Sequence, residues 1–212
     1  MAARGTSCSH DLTSQSSDRL TLPGFGPWKT PMTFHRRVLV LGGARSGKSR
    51  LAQQWAESTS STRVLIATAQ AFDDEMRERI AHHQSTRGPS WETKEVPLDL
   101  VAAIRVTAGP DRIVLVDCLT LWLSNIMLDG RGVRREIDEL VDALKMIEGP
   151  VLLVSNEVGQ GIVPATALGR SFRDEQGRLN QRIAEACDAV VFVAAGCPIL
   201  LKPTPPLNLH LG

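Results

Sequence analysis

Hydrophobic positions along the chain alternate between two patterns. Short unbroken apolar runs occur at "RRVLVLGG" from residue 36, "TRVLIATA" (62–69), "DRIVLVDCL" (111–119), "GPVLLVSNEV" (149–158) and "DAVVFVAAG" (188–196). Runs of this length with no polar alternation predict strands covered on both faces, as in parallel sheets. Between them, apolar residues recur at helical spacing. Leu51, Ala52, Trp55 and Ala56 form one stripe, and Val133, Ile137, Leu140, Val141, Leu144 and Ile147 form a second. Leu179, Ile183 and Ala186 form a third. A further helix is predicted to open at Asp73 or Asp74 and to run to about residue 87. Strands alternating with helices specify an α/β domain with a mainly parallel sheet. No internal repeat is visible.

The two ends read differently. Residues 1–35 are rich in Ser, Thr, Gly and Pro without periodicity, and read as a flexible N-terminal extension. The domain is expected over 36–203, with an irregular proline-rich tail at 204–212. A net charge of +1 gives no global reason to expect a nucleic-acid partner. The cysteines, Cys8, Cys118, Cys187 and Cys197, are scattered without a CxxC pair, which suits reduced thiols in the cytoplasm. No apolar run approaches the roughly 18 residues of a membrane span, and the N-terminus lacks the apolar core of a secretion signal.

Candidate chemistry begins where the first strand ends. Gly42-x4-Gly47-Lys48-Ser49 lies between a predicted strand and a predicted helix, the context that a phosphate-binding loop requires. Backbone amides of Gly42, Gly43, Ala44, Arg45, Ser46 and Gly47 can converge on phosphate oxygens, and the helix N-terminus adds partial positive charge. Lys48 is expected to reach the β- and γ-phosphates and the Ser49 hydroxyl to ligate Mg²⁺. Asp117 ends an apolar strand, where its carboxylate can meet the same ion; capping the following helix is the competing reading, and the neighbouring phosphate loop favours the metal role. The loop and the alternating pattern together predict a P-loop NTPase-like three-layer domain.

The stretch "RIAHHQSTR" (79–87) carries two adjacent histidines. If the predicted helix is continuous, Met76, Ile80, His83 and Arg87 fall on one stripe, which their apolar members turn inward. His82 then lies about 100° around, on the side of Glu75 and Glu78. An inward histidine one turn from an arginine makes a poor core pair but a good phosphate site. A satisfied structural histidine is the competing reading.

Five segments then carry a resemblance. "GGARSGKS", "IATAQAFDDEMRERIAHHQSTRGPSWETKE", "VLVDCLTLWLSN", "VSNEVGQGIVP" and "FRDEQGRLNQRIAEACDAVVFVAAGCPILLK" occur in this order over residues 37 to about 202. The chain resembles the bifunctional adenosylcobinamide kinase/adenosylcobinamide-phosphate guanylyltransferase family of cobalamin biosynthesis. In that family a histidine within Ile-x-x-His-x-x-x-Arg-x-x-x-Trp becomes guanylylated; here the block reads Ile80, His83, Arg87 and Trp91. The resemblance implies His83 and Lys48 as catalytic residues, GTP, ATP, adenosylcobinamide and its phosphate as ligands, and a homotrimer. It also implies that Thr68, Ala69, Gln70, Gln84, Ser85, Thr86, Arg87 and Glu95 line the nucleotide pocket. The glycines of "NEVGQGIVP" (156–164) allow close approach to a ligand or a neighbouring subunit, or simply make a tight loop.

Two rival functions fit the phosphate loop equally well: a simple small-molecule kinase with His83 structural, and a nucleotide-dependent regulatory ATPase or GTPase. Only the histidine block separates them from the bifunctional reading, through a covalent adduct.

Overall fold

The computed structural model describes residues 35–59, 61–70 and 90–204. The proposed N-terminal extension, the histidine block and nearly all of the proline-rich tail lie outside these residues.

Among the described residues, seven strands form one sheet: β1 (Arg37–Gly42), β2 (Thr62–Ala67), β3 (Trp91–Glu95), β4 (Arg112–Asp117), β5 (Val151–Asn156), β6 (Ala189–Ala194) and β7 (Cys197–Lys202). Their order is β3-β2-β4-β5-β1-β6-β7. All neighbours pair in parallel except β6 and β7, which are antiparallel. The helices among the described residues are α1 (Lys48–Glu57), α2 (Leu100–Thr107), α3 (Leu119–Leu128), α4 (Val133–Met146) and α5 (Ala167–Ala186).

Side-chain parity along the strands decides what each face meets. Val40, Leu65, Leu115, Leu152, Val154, Val191 and Val193 project to one face and pack on Ala52 and Ala56 of α1. Leu39, Leu41, Ile66, Val114, Val116, Val151, Leu153 and Val190 project to the other. They bury Leu100 and Ile104 of α2, Trp122 and Ile126 of α3, Leu140 and Leu144 of α4, and Leu179 and Ile183 of α5. The sheet thus sits between two helical layers, as the unbroken apolar runs predict. Trp122 is fully buried and its indole N–H donates to Leu98 O at 2.9 Å, so its polar edge is satisfied inside the core.

The sequence pattern reads 188–196 as the last strand, whereas the chain turns and returns as β7. Ala195 (φ 51°) and Gly196 (φ 80°) make that turn, and the side chains of Ile199, Leu200 and Leu201 stay about half exposed on the edge. The pattern also passes over β3, α2 and α3. The first residue of α5 lies twelve positions before Leu179, where its apolar stripe becomes visible.

Candidate active site

The parallel strands deliver their C-terminal ends to one edge of the sheet, where the sequence-predicted residues collect. β1 runs into the phosphate loop at Gly42. A Cβ there would stand 2.5 Å from Val193 O and 2.6 Å from Ser46 Oγ, so the close approach admits only glycine. Gly47 holds φ 96° at the mouth of α1, and a Cβ on it would come within 3.3 Å of Gly196 Cα. Gly196 N–H also donates to Ser46 O at 2.8 Å, so the β6–β7 turn braces the loop from outside. Gly43 is half-buried and Ala44 and Arg45 are exposed at the loop's tip. Among the described residues, no side chain caps the N-terminus of α1 and no acidic residue occupies its first turn. Its amide donors and partial positive charge therefore remain available to an anion.

Lys48 and Ser49 open that helix. Lys48 is 8% exposed and its ammonium donates to Gly43 O at 2.9 Å, folding back over the loop. Burial lowers its pKa, opposed by the nearby Cys118 and Asp117. Ser49 Oγ donates to Asp117 Oδ1 at 3.2 Å, joining the start of α1 to the end of β4. These two groups are hard oxygen donors side by side, a set that suits Mg²⁺.

Asp117 is held in turn from the opposite side. Thr68 is fully buried just past β2; its hydroxyl donates to Cys118 O at 2.7 Å and accepts from Cys118 N–H at 2.9 Å. Thr68 N–H donates to Asp117 O at 3.2 Å. The buried Asn125 of α3 donates to Thr68 O at 2.8 Å and to Pro97 O at 2.9 Å. Burial and the Asp117 charge push the Cys118 thiol up to about 11, so it stays protonated at neutral pH and offers no thiolate. Two residues here were missed from sequence. Asn125 was signalled by a carboxamide inside the otherwise apolar "LTLWLSNIML", and Gly196 by the small-residue run "AAG" closing a strand.

The remaining pocket residues spread along the same edge. Ala69 and Gln70 follow Thr68 and are half-buried, while Glu95 is exposed at the end of β3, in register with Ala67. Four strand spacings separate β3 from β1, about 19 Å at the usual interstrand distance. The structure therefore joins the loop, Lys48, Ser49, Asp117 and Thr68 but does not bring Glu95 to the phosphate loop. His82, His83, Gln84, Ser85, Thr86 and Arg87 lie outside the described residues.

Residues 38–201 match the family described as cobinamide kinase / cobinamide phosphate guanyltransferase. The chain belongs to this family. It is 48% identical over 171 residues to the bifunctional adenosylcobalamin biosynthesis protein CobP of Pseudomonas aeruginosa, covering 80% of this chain and 99% of that one. It is 40% and 38% identical over 180 residues to the bifunctional adenosylcobalamin biosynthesis proteins CobU of Salmonella typhimurium and Escherichia coli. Each of those alignments covers 78% of this chain and 99% of the relative. Among solved structures the chain is similar to the RadB recombinase, with a TM-score of 0.44 at 16% identity over 73% of this chain and 72% of that one. The family match spans the phosphate loop, Asp117 and the histidine block. As a member of the cobinamide kinase / guanyltransferase family, the chain is an enzyme, and the resemblance drawn from its five segments holds.

Proposed function

We propose that this chain phosphorylates adenosylcobinamide at its aminopropanol hydroxyl with the γ-phosphoryl group of GTP or ATP, then converts the product to adenosylcobinamide-GDP. The observation that carries the first step is the meeting of Lys48, Ser49 and Asp117 at an uncapped helix N-terminus. The hydroxyl oxygen attacks the γ-phosphorus and gives up its proton to solvent, the bond to the β-phosphate oxygen breaks, and the nucleoside diphosphate leaves. Lys48 and the α1 amides oppose the charge on the transferring group. Ser49 and Asp117 would hold Mg²⁺, which supplies further positive charge against the phosphate oxygens.

In the second step a nitrogen of His83 attacks the α-phosphorus of GTP, a P–N bond forms, and pyrophosphate leaves. The cobinamide phosphate oxygen then attacks the same phosphorus and releases the histidine. Two displacements suit this transfer, because neutral imidazole approaches a polyanion more easily than a second polyanion does. Gln84, Ser85, Thr86, Arg87 and Glu95 would line this nucleotide position, supported by the family's histidine block. The enzyme is expected to work as a cytoplasmic homotrimer without nucleic acid. Ile162 and Val163, 97% and 60% exposed in the glycine loop, suit a subunit contact, and light scattering at working concentration checks the mass.

The deciding experiment is intact-mass measurement after incubation with GTP and Mg²⁺. One GMP adduct, labile to acid and stable to base, is expected. His83→Ala removes it together with guanylyl transfer while cobinamide phosphorylation persists; His82→Ala keeps it. Phosphorylation without any adduct would establish the simple kinase instead, and nucleotide hydrolysis alone would establish a regulatory NTPase.

A further inference from the structure

β5 lies between β1 and β4, so its C-terminal end stands between the phosphate loop and Asp117. The last residue of that strand is Asn156, paired in register with Gly42. Parity fixes its direction. Val40 and Gly42 share a face on β1, Leu115 and Asp117 share it on β4, and Leu152, Val154 and Asn156 share it on β5. This face carries α1, whose first residues are Lys48 and Ser49. Asn156 therefore projects to the phosphate side, two residues beyond the Val154–Asp117 pair.

The neighbouring residue points the other way and anchors the strand end. Ser155 is fully buried; its hydroxyl donates to Asn180 Oδ1 at 2.7 Å and accepts from Gln176 Nε2 at 2.9 Å. Asn180, also buried, donates through Nδ2 to Asn156 O at 3.0 Å. From α3, the buried Thr120 hydroxyl accepts from Asn156 N–H at 2.8 Å. Glu157 N–H donates to Gly42 O at 3.0 Å, tying the chain just beyond Asn156 to the mouth of the loop. Both backbone groups of Asn156 are thus held by buried polar side chains from two helices. Its own carboxamide makes no hydrogen bond among the described residues. Four buried polar groups in a core layer are costly unless they are hydrogen-bonded, as these are. Here they fix the placement of one uncommitted amide donor beside the phosphate loop.

We propose that the Asn156 carboxamide contacts the terminal phosphate of the bound nucleoside triphosphate, distinguishing a triphosphate from a diphosphate and positioning the group to be transferred. This rests on reading the loop as a triphosphate site. The amide N–H₂ is the donor, the γ-phosphate oxygens accept, and a neutral donor adds no charge that would also hold the departing diphosphate.

The test uses the full chain with the α,β-methylene analogues of GTP and GDP plus Mg²⁺, in which the bond needed for guanylylation cannot break. Calorimetry gives the triphosphate-to-diphosphate affinity ratio. Asn156→Ala is expected to lower that ratio about tenfold while leaving diphosphate affinity and melting temperature near those of the parent. Asn156→Asp, which sets a carboxylate against the γ-phosphate, should lower it further. An unchanged ratio in both variants, or equal weakening toward both analogues, overturns the proposal. Failure of the parent chain to bind either analogue overturns the triphosphate reading itself and the proposal with it.

Discussion

Ser49 Oγ and Asp117 Oδ1 stand 3.2 Å apart although 68 positions separate them in sequence. The contact joins the first turn of the helix after β1 to the last residue of β4, two strands away across β5. Both oxygens are hard donors, and the proposed function gives them a shared Mg²⁺. Asp117→Asn should preserve the fold, since the amide can still accept from Ser49. It should lower the cobinamide-phosphorylation rate on the order of a hundredfold and raise the Mg²⁺ concentration needed for half-maximal nucleotide binding. A magnesium titration followed by calorimetry reads the second effect without relying on turnover. An unchanged magnesium requirement would remove Asp117 from the metal site.

Lys48 is held in a position that favours function over stability. Burial lowers its pKa, with Cys118 and Asp117 opposing, so the folded state disfavours the ammonium relative to the unfolded chain. The sign follows from linkage: the destabilisation is fully present below the folded-state pKa and is relieved as pH rises through it toward the ordinary 10.5. Lys48→Met should therefore melt at or above the parent's temperature at neutral pH, with the gap narrowing toward pH 10. Cobinamide phosphorylation should fall by at least about a hundredfold in the same variant, because the charge that follows the γ-phosphoryl group is gone. A variant that is both less stable and still active would contradict both parts.

What the sequence made legible was decided by how local each signal is. The phosphate loop is contiguous, so its glycines, Lys48 and Ser49 announce themselves together, and the loop folds as that spacing requires. β1, β2, β4, β5 and β6 were readable because burial on both faces leaves no polar alternation. β3 escaped because "WETKE" is an edge strand whose exposed polar residues resemble a loop. α3 escaped because "LTLWLSNIML" is apolar nearly all round and shows no stripe. The hydrogen bonds of Thr68 to Cys118, and of Asn180 to Asn156, join distant elements and leave no mark in any window of sequence. The family resemblance placed Thr68 in the nucleotide pocket; the structure gives its hydroxyl to Cys118.

That assignment makes Thr68 a separable position. Its hydroxyl satisfies both backbone groups of the residue after Asp117, in a fully buried setting. Thr68→Val keeps the shape but strands the buried Cys118 N–H, while Cys118 O keeps its bond from Trp122 N–H at 3.2 Å; the loss costs about 1–3 kcal/mol. Thr68→Ser restores the hydroxyl and should recover most of that loss. If Thr68 acts by positioning Asp117, the Val variant also shows a raised magnesium requirement, and Ser rescues it in parallel with stability. Nucleotide affinity that falls in Thr68→Ser while its stability stays intact would instead show that the methyl group touches the nucleotide.

Far from the phosphate edge, Asp188 ties the start of β1 to the end of α5. Its Oδ2 accepts from the backbone N–H groups of Arg36 and Arg37 at 3.0 and 2.9 Å, and its Oδ1 accepts from Arg37 Nη2 at 2.8 Å. Burial works to raise the Asp188 pKa, but the Arg37 guanidinium and these backbone donors outweigh it and lower the pKa below the ordinary 3.8. The pair is about 26–30% exposed, so its net worth is modest, and Asp188→Asn should cost about 1–2 kcal/mol at pH 7. The sign differs from that of Lys48. A carboxylate with a depressed folded pKa contributes stability that is complete above 3.8 and is lost as pH falls through the folded value. Urea denaturation of parent and variant should therefore show a constant gap from pH 7 down to about 5, closing below pH 4 as Asp188 protonates. A gap that persists undiminished at pH 2 would mean that the carboxylate's charge is irrelevant and that only its geometry holds β1 in place.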